Sequence, residues 1–407
     1  MDAARRLENQ IRHRLHYHLK ESGFKLKRDG TVSPRDTTKE SYRNLHALQR
    51  REKLERERTF IEANWPDLQS HFADGSEVEP SAIRPRLEVI SAGTWQSNLF
   101  RLASLSWSVP VSQGYGRRLR FLVWDDSNRR LMGLMALGDP VFNLRVRDDF
   151  VGWSVRYRQS RLVDTLDAYV LGALPPYNAL LGGKTIACLV RTKEVRDTFR
   201  HRYSNYRGII SGRKKNPALV MVTTTSSLGK SAVYDRLTLA GVPYFRSLGF
   251  TRGWGHFHIP DDLFGMIREY LALSGHKYSK GHEFGDGPNW KLRAVRQALV
   301  MLGINESVLN HGIGREVFAC TLADNALDVL SKRDRREPVY RSLLSVEEVG
   351  ALARSRWMVP RSLRKPDYRG WTKEGIADLL TVSTIDELRS TSNSCPQEGS
   401  ANDVGRV

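Results

Sequence analysis

Cysteine is nearly absent from this 407-residue chain: only Cys188, Cys320 and Cys395 occur, odd in number and far apart. That excludes a disulfide framework and a cysteine-built zinc site, and it fits a reducing compartment. Long apolar runs are also missing. The longest, such as 218–222, are strand-sized and far short of the ~20 residues needed to cross a bilayer, so no membrane partner is expected. The opening Met1-Asp2-Ala3-Ala4-Arg5-Arg6 has no apolar leader behind it, and a cytoplasmic protein is expected. Negative charge is the third shortage. Asp and Glu number 45 against 64 Lys and Arg, giving a net charge of +19. An excess of that size favours polyanionic partners, because each neutralised phosphate releases condensed counterions. Nucleic acid, DNA in the first place, is the expected partner.

What is present is enough apolar residue, 40%, for a large core. In residues 1–80 Leu7, Ile11, Leu15 and Leu19 recur at i+4 and predict a helix, followed by a second over 38–63. Residues 1–60 carry 16 Lys and Arg against 9 Asp and Glu, which reads equally as a solvated helix pair or a nucleic-acid arm. The polar, proline-punctuated 74–85 reads as a linker. Residues 118–124 alternate like a strand, Asp125-Asp126-Ser127-Asn128 turns the chain, and 131–137 returns, which predicts a hairpin. A buried strand at 168–174, a long helix from Asn178 through Phe199, a strand at 218–225, a helix over 230–239 and two short strands in 244–259 follow. The expected fold is α/β, a mixed sheet flanked by helices over 90–260. A basic helical region precedes it (1–80), a mainly helical basic region follows it (261–385), and 386–407 is a disordered tail.

Several constellations invite chemistry. Gly183-Lys184-Thr185 and Gly229-Lys230-Ser231 suggest phosphate loops, but the upstream glycine that a P-loop needs is Asn178 in one and Thr224 in the other. No nucleotide cofactor follows from them. Ser226, Ser227 and Lys230, between a strand and an expected helix start, can hold an anion or simply turn the chain. His256 and His258 are too few for a metal, and no metal is expected. Arg147-Asp148 beside Gly152-Trp153 either shapes a cleft with Asp148 as catalytic group or forms a buried ion pair. Residues 191–215 carry nine cations: Arg191, Lys193, Arg196, Arg200, Arg202, Arg207, Arg213, Lys214 and Lys215. Tyr203 and Tyr206 lie among them, and that mixture suits phosphate contact with base stacking. A second basic stretch holds Lys332, Arg333, Arg335 and Arg336, then Arg354, Arg356, Arg361, Arg364 and Lys365.

Residues 115–154, with Leu137-Gly138-Asp139-Pro140 and Arg145-Val146-Arg147-Asp148-Asp149-Phe150-Val151-Gly152-Trp153-Ser154, resemble the Druantia anti-phage protein A family, once a domain of unknown function. So do Leu174-Pro175-Pro176-Tyr177-Asn178 with Gly182-Gly183-Lys184, residues 223–231, and 244–258 around Trp254. The resemblance covers about 90–320. It implies a bacterial antiviral system of several genes, with a helicase-like protein as partner. A looser similarity is to the GNAT acyltransferase fold, whose order is hairpin, strand, helix, strand, helix, strand. Tyr244-Phe245-Arg246-Ser247-Leu248-Gly249-Phe250 approaches one of its signatures with one residue too many. The turn that holds coenzyme A in that fold here contains Pro175-Pro176, which lack the N–H donors a pyrophosphate needs. The fold carries over and the activity does not; a GNAT-like transferase, or a hydrolase using Asp148, stands as the alternative function.

Overall fold

The computed structural model describes residues 2–27, 30–112, 116–207, 212, 214–252, 258–280, 289–331 and 336–382. Tyr115, Arg213, Trp254, His256, Lys332, Arg333, Arg335, Cys395 and the tail 386–407 lie outside the described residues.

The chain opens with α1 (Asp2–Glu21). Its stripe of Leu7, Ile11, Leu15 and Leu19 is buried, packed against α8 (Asp261–Leu273) and α9 (Asn289–Met301). Gly23, at φ +76°, ends the helix where an L side chain would be strained. The short hairpin β1 (Phe24–Leu26) and β2 (Val32–Pro34) follows. Thr38 then caps α2 (Lys39–Leu68), accepting from the Ser41 amide at 3.2 Å. This helix outruns the expected end at Ala63 and joins two cores: Tyr42 packs with α1, and Leu54 under the sheet. The segment 74–85 is no solvated linker. Val78 and Ile83 are buried in the main core, because a capped 3-10 turn at Gly75–Glu77 folds the polar residues outward.

One seven-stranded sheet organises the rest, in the order β10-β11-β7-β6-β5-β4-β3. Its strands are β3 (Pro85–Val89), β4 (Arg118–Asp125), β5 (Arg130–Gly138), β6 (Thr165–Ala173), β7 (Met221–Thr225), β10 (Arg246–Phe250) and β11 (Glu316–Thr321). Every neighbouring pair is antiparallel except β6 and β7. The expected β4–β5 hairpin is present, its turn tied by the Ser127 amide and hydroxyl donating to Asp125 at 3.0 and 2.8 Å. Between Ala136↔Val170 and Leu137↔Ala168 the strand β6 holds one extra residue, Tyr169, a bulge that twists it. Parallel pairing with β7 stops at Asp167↔Thr223. Beyond it the Thr224 hydroxyl donates to the Ala168 carbonyl at 2.8 Å.

Helix α3 (Trp95–Leu105) covers one sheet face through Leu99 and Leu102. On the other face lie α6 (Gly182–Leu189), α7 (Lys193–Tyr203) and α11 (Val346–Ala353). The single long helix expected from Asn178 is therefore two, preceded by a turn and separated at Thr192, whose hydroxyl donates to the Leu189 carbonyl. The helices α4 (Arg145–Val151) and α5 (Val155–Arg161) link β5 to β6. No helix forms over 230–239. Ser231 takes the Val233 and Tyr234 amides, and β8 (Thr238–Leu239) turns at Ala240 and Gly241, both at positive φ, into β9 (Val242–Pro243). Helices α10 (Ala326–Ser331), α12 (Val359–Arg364) and α13 (Glu374–Leu379) complete the C-terminal part. That part is mainly helical, as expected, yet it supplies β11 between β7 and β10. The architecture is an α/β mixed sheet of GNAT-like form flanked by helical regions. No described helix is long and apolar enough to cross a membrane.

Candidate nucleic-acid interface

Helix α7 has a buried edge, Val195 and Phe199 at i+4, and ends in Arg200, His201 and Arg202. Cations in a last turn complement the negative end of the helix dipole, so this order is locally favourable. Tyr203 fixes the end of the helix to the sheet. Its hydroxyl accepts from the Arg118 amide at 2.9 Å and donates to the Arg118 carbonyl at 2.8 Å. Beyond it Arg207 bridges Lys214, and the Lys215 amide donates to the Tyr206 carbonyl at 2.7 Å. Beneath, the buried Arg117 guanidinium lies 5.3–5.7 Å from the rings of Phe199, Tyr203 and Tyr206. Asp139 and the carbonyls of Val163 and Thr165 hold that guanidinium from the other side.

The nine cations of 191–215 separate into two kinds. Arg191 is buried and donates to the Thr321 carbonyl (2.9 Å), the Ser342 carbonyl (3.2 Å) and the Ser342 hydroxyl (2.5 Å). Arg196 is bound to Asp197 and stacked on Tyr340, and Lys193 pairs with Glu348 at 3.5 Å. Arg200, Arg202, Arg207 and Lys214 are exposed and Lys215 is half-buried, with no carboxylate partner among the described residues. Arg213 lies outside those residues. The fold adds two cations that the sequence reading used only as strand pattern: Arg118 and Arg120, at i and i+2 on β4. Burial pushes the nearby Tyr169 phenol up, and Arg120 and Arg118 pull against that. The alternating Arg-x-Arg beside the tyrosine-rich helix end was the available signal.

The other candidates lie elsewhere. Arg147 is fully buried and gives two hydrogen bonds, 2.9 and 2.7 Å, to one Asp148 oxygen. It also donates to the carbonyls of Val141 and Phe142, while Arg158 takes the second Asp148 oxygen at 2.7 Å. Trp153 closes the knot, its ring 5.4 Å from the Arg147 guanidinium and its indole N–H on the Leu330 carbonyl. Both carboxylate oxygens of Asp148 are thus engaged by arginines. Ser226 is buried with its amide on the Glu316 carbonyl, and Ser227 and Lys230 are exposed on a turn that begins no helix. In the turn after β6 the amides from Asn178 to Gly182 all donate to carbonyls within 174–178. Of the second basic stretch, Arg354 and Arg361 donate to the carbonyls of Ile83 and Ala179, and Arg336 faces Asp328. No group of three or more metal-ligating side chains occurs among the described residues. Cys188 and Cys320 are buried free thiols, pushed up by burial.

One acid stands apart. Asp167, at the point where β6 and β7 part, accepts from the Thr223 hydroxyl at 2.7 Å. Burial pushes its carboxyl up to about 6, against the opposing pull of Thr223 and Arg147. Sequence reading missed it because a single aspartate in an apolar strand has no pattern of its own.

Residues 36–332 match the family model described as Druantia protein DruA. A Druantia protein DruA of Escherichia coli (strain UMEA 4076-1) is 49% identical over 389 residues, covering 94% of this chain and 96% of that protein. No solved structure matches.

Proposed function

The chain belongs to the Druantia DruA family, and on that premise we propose that it acts in anti-phage defence as a nucleic-acid-binding subunit. It works beside other Druantia proteins, a helicase-like one among them, and holds DNA by phosphate contact and base stacking rather than by reading base edges. The observation that carries this reading is the sorting of the cations. Arg200, Arg202, Arg207 and Lys214 stand exposed around Tyr203 and Tyr206, without a carboxylate partner among the described residues. Arg191, by contrast, is consumed inside the fold, and Lys193 and Arg196 are paired with carboxylates. A protein basic only by composition has no reason to gather its unpaired charge beside aromatic rings. Phosphate contact and base stacking need that combination.

The test is binding to single- and double-stranded DNA across a salt series, for the wild type and a variant carrying Arg200→Glu, Arg202→Glu and Arg207→Glu. Each phosphate contact contributes about 0.9 (duplex) or about 0.7 (single strand) to the slope of log K against log salt. Loss of three contacts flattens the duplex slope by about 2.7. An unchanged slope, or no wild-type binding at modest salt, overturns the reading.

A further inference from the structure

Away from that surface, where α1, α2, α9 and the approach to β11 meet, the protein forms a half-open cavity of about 430 Å³. Its polar lining is unusual in kind: His18, His46, His258, His311, Lys291 and Arg315. Ser22 and Gln49 also line it, and the remaining walls are apolar, with Phe24, Leu45, Leu48 and Leu292.

The charges in this cavity do not balance. His258 is held by Glu52 at 2.7 Å, and Lys291 by Asp261 at 3.1 Å and the Ile259 carbonyl. His18 gives its Nε2 hydrogen to the His258 carbonyl at 2.7 Å, and His311 Nδ1 accepts from the Ile313 amide. The His311 ring is thereby set as its neutral Nε2–H tautomer. His46 Nδ1 donates to Gln49 at 3.2 Å. Arg315 has no carboxylate within ion-pair distance among the described residues, and its buried Nε has no hydrogen-bond partner. Its backbone is pinned: the amide donates to the Thr251 hydroxyl at 3.0 Å, and the carbonyl accepts from the Thr251 amide at 2.9 Å. Burial lowers the pKa of His18, His46 and Arg315, which marks the cavity as a poor place for positive charge without an anion. The unpartnered Nε of this partly buried guanidinium costs free energy that a bound anion returns.

We propose that this cavity binds a small phosphate monoester of mononucleotide size, its phosphate on Arg315 and the adjoining histidines and its body against Phe24, Leu45, Leu48 and Leu292. The volume lies in the range of small-molecule sites. A phosphate suits the site because the Arg315 guanidinium can present several N–H donors to its oxygens. The site is separate from the DNA-facing end of α7 and does not depend on it.

Titration calorimetry on the full chain tests this with the four nucleoside 5′-monophosphates, the four nucleosides and inorganic phosphate at equal ionic strength. At least one monophosphate binds with Kd of about 1 mM or tighter, and its nucleoside and inorganic phosphate bind ten-fold or more weakly. Arg315→Gln weakens that monophosphate ten-fold or more. Leu48→Trp, which fills the apolar side and leaves Arg315 in place, does the same while the melting temperature holds. The Arg200/Arg202/Arg207 reversal leaves the titration unchanged. Failure of all four monophosphates to outbind inorganic phosphate overturns the proposal, as does full affinity in both cavity variants.

Discussion

The end of α7 and the start of α4 place the same side chain in opposite circumstances. Arg147 has no exposed surface, and its donors are spent on Asp148 and the carbonyls of Val141 and Phe142. Arg200 and Arg202 are exposed and have no carboxylate partner among the described residues. The buried knot gains strength from a low dielectric but has paid the desolvation of three charges, so its net contribution is small while all its members are present. The exposed pair has lost no hydration and is free to meet a phosphate. Basicity summed over a sequence mixes these two populations, and only the second bears on binding.

Breaking the knot should give the largest effect. Asp148→Ala leaves Arg147 and Arg158 without their shared carboxylate, and removing one partner of a buried pair costs roughly 3–5 kcal/mol. Urea unfolding should show that loss, and DNA affinity per folded molecule should not change. Arg200→Ala should do the reverse, moving stability by less than about 0.5 kcal/mol. Equal effects of both substitutions on stability would remove the distinction.

Asp167 sharpens the comparison from the acid side. Asp148 has two guanidiniums in contact; Asp167 has a threonine hydroxyl and no direct cation among the described residues. With its folded pKa raised from 3.8 to about 6, the folded protein holds a proton that the unfolded chain has released between those values. The stability this group contributes is therefore full below about pH 4 and falls as pH rises through 6. The fall is on the order of 3 kcal/mol, because each pKa unit is worth about 1.4 kcal/mol. Asp167→Asn should flatten this part of the pH–stability curve and raise stability above pH 7. A curve with the same fall in the variant would assign the effect to other groups.

Tyr206 and Tyr203 differ on a smaller scale. Tyr203 is bonded through its hydroxyl to β4, so its loss should disturb the fold. Tyr206 meets Tyr203 edge to face at 6.0 Å and lies at the margin of the basic surface. Tyr206→Ala should weaken single-strand binding by about 1–3 kcal/mol, the range for stacking on one base. The salt slope should stay constant, because no phosphate contact is removed. A changed slope would mean that the ring orders Arg207 rather than stacking.

Much of this fold was legible because its signals are local. The α1 stripe, the β4–β5 alternation with its Asp-Asp-Ser-Asn turn, and the apolar β6 all depend on near neighbours in sequence. The failures have a common cause. The break at Thr192 is hidden because apolar periodicity continues across it from Leu180 to Phe199. The stretch 230–239 has residues compatible with a helix, but Ser231 captures two amides and Ala240-Gly241 turns the chain. Strand β11 is recruited from a largely helical region by pairing with β7, which no local pattern encodes. The site divides in the same way. The density of cations in 191–215 was plain, but Arg191 is withdrawn from it by carbonyls 130 and 151 residues further along. The cavity around Arg315 draws its histidines from positions 18, 46, 258 and 311, and its charge imbalance exists only once the chain is folded.

Lys193 lies between the two populations and gives the smallest and most discriminating test. Its ammonium is half exposed and 3.5 Å from Glu348, an ion pair weak enough to be exchanged for a phosphate. Exposed pairs of this kind contribute about 0–1 kcal/mol, so Lys193→Gln should barely move the unfolding midpoint. If the interface ends at Arg200, the salt slope stays at its wild-type value, and Glu348→Gln changes nothing either. If the interface runs the length of α7, Lys193→Gln lowers the duplex slope by about 0.9. Glu348→Gln then tightens binding by freeing the lysine. Opposite responses to two neighbouring substitutions cannot come from a stability change, so the pair locates the edge of the DNA-facing surface.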